Sequence, residues 1–439
     1  MGDIEAIKQH EAALQRCLTV WIVTGLLFML LPGTFLGAWN LIAISGQQGT
    51  VRPDPAWIQA HGHAQIFGWI GTFILGIGFY SLSKMRGLAR FAIHRAWISW
   101  AMWTAGVGLR WATNLWHWQW RIVLPLSAIL ELAGFLLFLV TVRGRGSEVN
   151  SGEVGGQAPR AWIAVVVAGI LGFLASLVAN LATALKAAIA GSGPAIPGDE
   201  NQRLLALFTW AFPVVIIWGF SARWLPVFMG LGETRHRLLR VALIVNTAAL
   251  LCGVLLGWWI PATALFALAA AVASHGLHIF ARPDRPPKIK GVHPTFPLFV
   301  RIAYAWLLIS ACVSLGAAVW DRSGGWWGAS RHALTVGYIS TMVFAIGQRV
   351  LPAFSGMRLL FSTKLMLAGL ALLNLGCLLR VGSEIGAYEG YLPALWPVLP
   401  VSAVIEMTAM TLFAANLFVT FGQTPPHLKG LPGNGGGSA

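Results

Sequence analysis

Three histidines open two apolar runs: His61 and His63 in His61-Gly62-His63-Ala64-Gln65-Ile66-Phe67-Gly68, and His332 in His332-Ala333-Leu334-Thr335-Val336-Gly337. The His63-Ala64 pair returns at His332-Ala333, and Gly68, Thr72, Gly78 and Gly87 then fall on Gly337, Thr341, Gly347 and Gly356, the register of a duplicated unit. Arg110 and Arg380 close matching runs, Gly106-Val107-Gly108-Leu109-Arg110 and Gly376-Cys377-Leu378-Leu379-Arg380. Glu131 and Glu406 close another pair, Ser127-Ala128-Ile129-Leu130-Glu131 and Ser402-Ala403-Val404-Ile405-Glu406. A histidine in apolar surroundings is costly unless it is paired or ligates something, so two at matched positions predict a bound heme or metal. Two facing imidazoles, His63 and His332, would supply the axial nitrogens of one heme. Arg110 and Arg380 would neutralise its propionates. The bland alternative, helix-end residues facing interfacial water, suits a lone His or Arg better than a repeat-matched set.

The remaining candidates each carry two readings. His61 lies roughly 200° around a helix from His63, so both cannot face one iron if the helix already includes them. Gly62 then marks a helix start, and His61 is either a ligand to a second cofactor, heme or copper, with His117, or an interfacial residue. Glu131 and Glu406 sit near mid-span, where they either carry protons or are protonated glutamates bonding a neighbouring helix. His275 and His278 are one turn apart beside a basic loop and read as solvated.

The elements that must hold these residues are membrane helices. The chain has 57% hydrophobic and 10% charged residues, and a mean hydropathy of +0.70, which excludes a soluble domain. Twelve apolar segments are long enough to span: 18–44, 63–83, 96–116, 122–142, 161–189, 204–230, 239–260, 262–281, 298–320, 332–352, 364–381 and 392–421. Continuous apolarity excludes barrel strands. The expected fold is therefore an all-α integral membrane protein, twelve transmembrane helices in three pseudo-symmetric groups of four. The boundaries follow: a cytoplasmic N-terminal segment 1–17, unlike a cleavable signal; groups at 18–142, 161–281 and 298–421; a linker 143–160; a cytoplasmic loop 282–297; and a flexible tail or linker 422–439. A middle copy of the repeat shows in Arg223-Trp224-Leu225-Pro226, which matches Arg349-Val350-Leu351-Pro352 and places Ala206 where the outer groups have histidine.

The net charge of +15 is a topology signal rather than a nucleic-acid footprint. Its arginines and lysines collect in alternate loops: Lys84, Arg86, Arg90, Arg95; Arg143, Arg145, Arg160; Arg235, Arg237, Arg240; Arg282, Arg285, Lys288, Lys290; Arg358, Lys364. The positive-inside rule makes those loops and both termini cytoplasmic in an inner (cytoplasmic) membrane and puts the histidines near the periplasmic face. Cys17, Cys252, Cys312 and Cys377 form no C-x-x-C-H, so any heme is b-type, without covalent attachment.

The H-x-H-x-x-x-F-G run at 61–68 and the H-A-L-T-V-G run at 332–337, followed by Arg349, are similar to the NnrS family over about residues 15–422. Twelve spans in three groups, with histidines on the second and tenth, also resemble the heme-copper oxidase catalytic subunit. The NnrS resemblance implies a response to nitric oxide, heme and copper binding, and heme ligation by His63 or His61 together with His332. Departures from the oxidase pattern bear on chemistry. Spans 204–230 and 239–260 contain neither His nor Tyr, so no oxidase-type copper trihistidine site is expected.

Three functional readings result. The first is a heme-binding, or heme- and copper-binding, inner-membrane protein of the nitric-oxide-response type, which transfers electrons or handles NO at the periplasmic side. The second is a quinol-linked or NO-metabolising oxidoreductase whose second site, a further heme or copper, uses His61. The third is a heme, metal or proton carrier. The expected partners are the lipid bilayer and a quinol or periplasmic electron-transfer partner, with no nucleic acid.

Overall fold

A computed structural model describes residues 2–50, 53–85, 92–143 and 161–425, with the side chains of 2–8, 84–85 and 161 outside the description. Nearly all of the expected linker 143–160 and tail 422–439 lies outside the described residues, as do Arg86, Arg90, Arg145, Arg160 and His427. The described chain is helical and carries eleven helices long and apolar enough to cross a bilayer: α1 (Gln9–Gly46), α2 (Pro55–Ser83), α4 (Trp120–Arg143), α5 (Trp162–Ala190), α6 (Gly198–Met229), α7 (His236–Leu255), α8 (Trp259–Gly276), α9 (Phe296–Trp320), α10 (Gly325–Phe354), α11 (Thr363–Tyr388) and α12 (Pro393–Gly422). Between α2 and α4 runs α3 (Ile93–Trp116), as long as its neighbours but diluted by His94, Arg95, Arg110 and Asn114. The chain is a multi-pass membrane protein.

Burial sorts these helices into two shells. In the apolar windows of α2, α6 and α10, 72%, 78% and 72% of residues are buried, against 28–50% in the windows of the other eight. A helix apolar all round belongs inside, and these three form the interior. Successive outer helices pack side by side, most extensively α3 on α4, α7 on α8 and α11 on α12, and α12 closes against α1.

Each inner helix widens locally. A π-helical stretch runs over Ala64–Gly71 in α2, Leu207–Ala211 in α6 and Ala333–Ser340 in α10. These begin immediately after His63, Ala206 and His332, the three positions that the repeat register equates. A π turn frees carbonyls, and hydroxyls five residues on take them up: Thr72 Oγ1 donates to Phe67 O at 3.3 Å, Ser340 Oγ to Thr335 O at 2.8 Å and Thr341 Oγ1 to Val336 O at 3.4 Å.

The histidine helices begin earlier than their apolar runs suggest, which corrects the expectation that Gly62 marks a start. Asp54 caps α2, accepting from Ala56 N at 2.8 Å, and Pro55 follows as the first helical residue. Asp321 plays the same part ahead of α10, accepting from Trp326 N at 2.8 Å and Trp327 N at 3.3 Å. His61, His63 and His332 thus lie well inside regular helix, with fixed side-chain directions.

Candidate functional site

A cavity with a volume ≈ 750 Å³ opens where α2, α6 and α10 begin. Its walls include His61, His63 and Gln65 of α2, Arg110 of α3, His332 of α10, Arg380 and Glu384 of α11, and Glu406 of α12. The topology therefore gathers the sequence-predicted His61, His63, His332, Arg110, Arg380 and Glu406 around one space.

His61 and His332 are held alike. His61 Nδ1 donates to Gly33 O of α1 at 2.8 Å, and His332 Nδ1 donates to Gly328 O, one turn back on its own helix, at 3.0 Å. A carbonyl only accepts, so both rings carry a proton on Nδ1, and in the neutral imidazole the lone pair is then on Nε2. Neither Nε2 makes a hydrogen bond among the described residues. Glycines make the room. A Cβ on Gly37 would lie 2.4 Å from His61 Cε1, and one on Gly328 would lie 2.1 Å from Glu384 Oε1. Glu384 Oε2 in turn sits 3.4 Å from His332 Nδ1.

His63 faces elsewhere, as two residues of helical rotation require. Its Nε2 pairs with Glu131 Oε1 of α4 at 2.7 Å, and its ring stacks on Phe67 at 4.6 Å between centroids. Asn180 of α5 donates to Glu131 Oε2 at 3.1 Å and accepts a long 3.5 Å contact from Arg110. Glu131 is thus bonded to neighbouring helices, satisfying both oxygens where an unpaired carboxylate would be expensive. The outer groups place their glutamates alike: a Cβ on Gly106 would meet Glu131 Cγ at 2.8 Å, and one on Gly376 would meet Glu406 Cγ at 2.6 Å. They differ in partners, because buried Glu406 Oε1 has none among the described residues.

Arg380 donates from Nη2 to Glu384 Oε1 at 3.0 Å, while its Nε and Nη1, buried, have no partner; nor has Arg110 Nε. Buried guanidinium hydrogens left unpaired are costly, so this wall suits an anionic group with several oxygens. The volume falls within the range of about 300–1,000 Å³ usual for small-molecule and cofactor pockets. Two lone-pair imidazoles and unpartnered guanidinium hydrogens fit a heme with its propionates. Copper between His61 and His117 does not fit: His117 Nε2 pairs with Asp54 Oδ2 at 2.8 Å, and His117 is not part of the cavity wall. No three His, Cys, Asp or Glu side chains converge as a metal set among the described residues.

Sequence reading missed Glu384, Asn180 and the Asp54–His117 pair. A signal existed for Glu384, which follows Arg380 by four residues, the spacing of an opposite-charge pair on one helix face. Asn180 gave none, because one amide in an apolar run has no pattern.

The family described as NnrS protein matches residues 19–423. No curated protein matches the chain. Among solved structures, one described as a heme-copper terminal oxidase dimer superposes with a TM-score of 0.55 at 12% identity, covering 94% of this chain and 84% of that one. At that identity the likeness concerns the fold, which is heme-copper oxidase-like.

Proposed function

The chain belongs to the NnrS family, and from that membership and the cavity we propose that it is a heme-binding inner-membrane protein of the nitric-oxide-response type, built as twelve spans in three pseudo-symmetric groups of four. The three π-helical stretches at equivalent positions support the grouping. One observation carries the heme: His61 and His332 wall the same cavity, each with Nδ1 tied to a backbone carbonyl and Nε2 unengaged. That is how ligating histidines are oriented and made more basic. We assign His61 and His332 as the residues that would hold the heme iron, and give His63 the bracing of α2 against α4 through Glu131. Bound there, a b-type heme would supply one-electron redox chemistry.

The protein's own residues do the rest. Arg380 and Arg110 offer charge to propionates, Glu384 restrains both His332 and Arg380, and Phe208 walls the cavity with Phe67 packed edge-to-face on it at 4.7 Å. Pyridine hemochrome assay and absorption spectra of purified variants test the assignment. His61→Ala and His332→Ala should lose the low-spin spectrum while His63→Ala keeps it. Loss in His63→Ala with retention in His61→Ala would return the ligand to His63. A second reading, a quinol-linked oxidoreductase, draws on Asn40, whose buried amide lines the same cavity with neither atom bonded, as a hydroxylated head group would require.

A further inference from the structure

The two outer groups carry matched residues in different states. In the first, His63 Nε2 pairs with Glu131 Oε1 at 2.7 Å, and Glu131 Oε2 accepts from the Asn180 amide at 3.1 Å. That copy is closed. In the third, the register equates His332 with His63 and Glu406 with Glu131, and Gly376 leaves room for the glutamate stem as Gly106 does. Yet neither His332 Nε2 nor Glu406 Oε1 has a partner among the described residues, although both residues wall one cavity and lie close enough for their charges to interact. The helix packed beyond α12, α1, brings its own buried asparagine, Asn40, with neither amide atom bonded. This copy is open, and its unengaged groups match the engaged ones of the first.

The two imidazoles assigned to the heme also differ in freedom. His61 is packed into α1, its Nδ1 held by Gly33 O at 2.8 Å and its ring 2.4 Å from where a Cβ on Gly37 would lie. His332 is bonded to its own helix, at Gly328 O, and its side chain is 27% exposed. We propose that His332 is a displaceable ligand: on leaving the iron its ring is received by Glu406, and the vacated position takes a neutral diatomic molecule. The proposal rests on the heme reading above. The bond from iron to His332 Nε2 breaks with its electron pair returning to nitrogen, and a lone pair of the incoming molecule replaces it. No electron or proton is transferred to or from the site. As a carboxylic acid, Glu406 donates its O–H to the freed Nε2, in the geometry that His63 has with Glu131, and so offsets part of the lost bond. The space left is that of one imidazole, which admits only a few atoms.

Carbon monoxide on the reduced, heme-loaded, full-length protein tests this. A structure of the complex should show His332 off the iron with Nε2 within hydrogen-bond distance of Glu406, and His61 in place. A complex with His61 displaced instead overturns the proposal. Glu406→Leu should weaken carbon monoxide binding roughly 3–10-fold, the worth of one hydrogen bond, and Glu406→Gln, which keeps a donor, should recover most of it. Infrared spectra across flash release of carbon monoxide give a readout apart from affinity: a carboxyl C=O band should shift in the native protein and be absent in Glu406→Gln. Equal affinities in all three proteins, or no shifting band, overturn the part given to Glu406. A hemochrome count on each protein separates the two failures. Native protein without heme sinks the heme reading, whereas native protein with heme that binds no carbon monoxide sinks only the exchange.

Discussion

Glu384 shows what one residue contributes and why it was hard to see. It touches both His332 and Arg380, yet repeat matching passes over it, because its counterpart in the first group is Asn114, which instead donates to Ala56 O at 3.1 Å. The arginines and glutamates shared by both outer groups were legible, since duplication repeats them. Residues acquired by one group were not. Glu384→Gln keeps the shape but removes charge beside the His332 N–H, so redox titration should show a higher heme reduction potential. Glu384→Ala should weaken heme retention by roughly 10–100-fold, the usual loss when a ligand's outer support is removed. Arg380→Leu should move the potential downward, because a positive charge that favours the electron is gone. Unchanged potentials in all three would separate these residues from the cofactor.

At the level of elements, hydropathy found the helices but not their starts. The first two turns of α2 and α10 and the residues just after carry Gln59, His61, Arg331 and His332, so an apolar window opens late, whereas the signal is Asp54-Pro55 in one case and Asp321 in the other. Asp54→Ala should cost about 1 kcal/mol, the typical worth of a helix cap, and also free His117, lowering the thermal midpoint. Asp321 is different. Burial pushes its carboxyl above the ordinary value, against the Trp326 and Trp327 N–H groups, so the charged form is disfavoured in the folded state. Its contribution is greatest below the ordinary carboxyl range and falls as pH rises through the raised value. Asp321→Asn, neutral and still an acceptor, should therefore match the native midpoint in acid and exceed it at neutral pH, while Asp321→Ala should fall below it in acid. The π-helical stretches were not legible at all, because no residue type marks them. Deleting Ala333 should remove the widened turn and swing His332 by roughly 100° relative to the rest of α10, abolishing the heme spectrum while leaving a folded membrane protein.

For the whole molecule, composition fixed the membrane setting and repeat register anticipated which helices carry the histidines, but it could not say that α2, α6 and α10 are the inner three. Orientation is tested directly. Gln59 of α2 exchanges hydrogen bonds with Ile196 at 2.7 and 2.8 Å, so the loop holding Gly193 lies on the histidine face. An alkaline phosphatase fusion after Gly193 should be active and one after Arg285 inactive; the reverse would put the cavity on the cytoplasmic side. The cavity's walls run from Thr34 to Met410. A ribosome adding about 5–20 residues per second needs roughly 15–55 s to travel from His61 to His332. For that interval the first helices stand in the membrane with an unfinished chamber. Whatever the chamber holds must arrive after its last wall at Met410 has been made, so loading depends on a supply that outlasts that interval, and a chain released before it cannot retain the cargo.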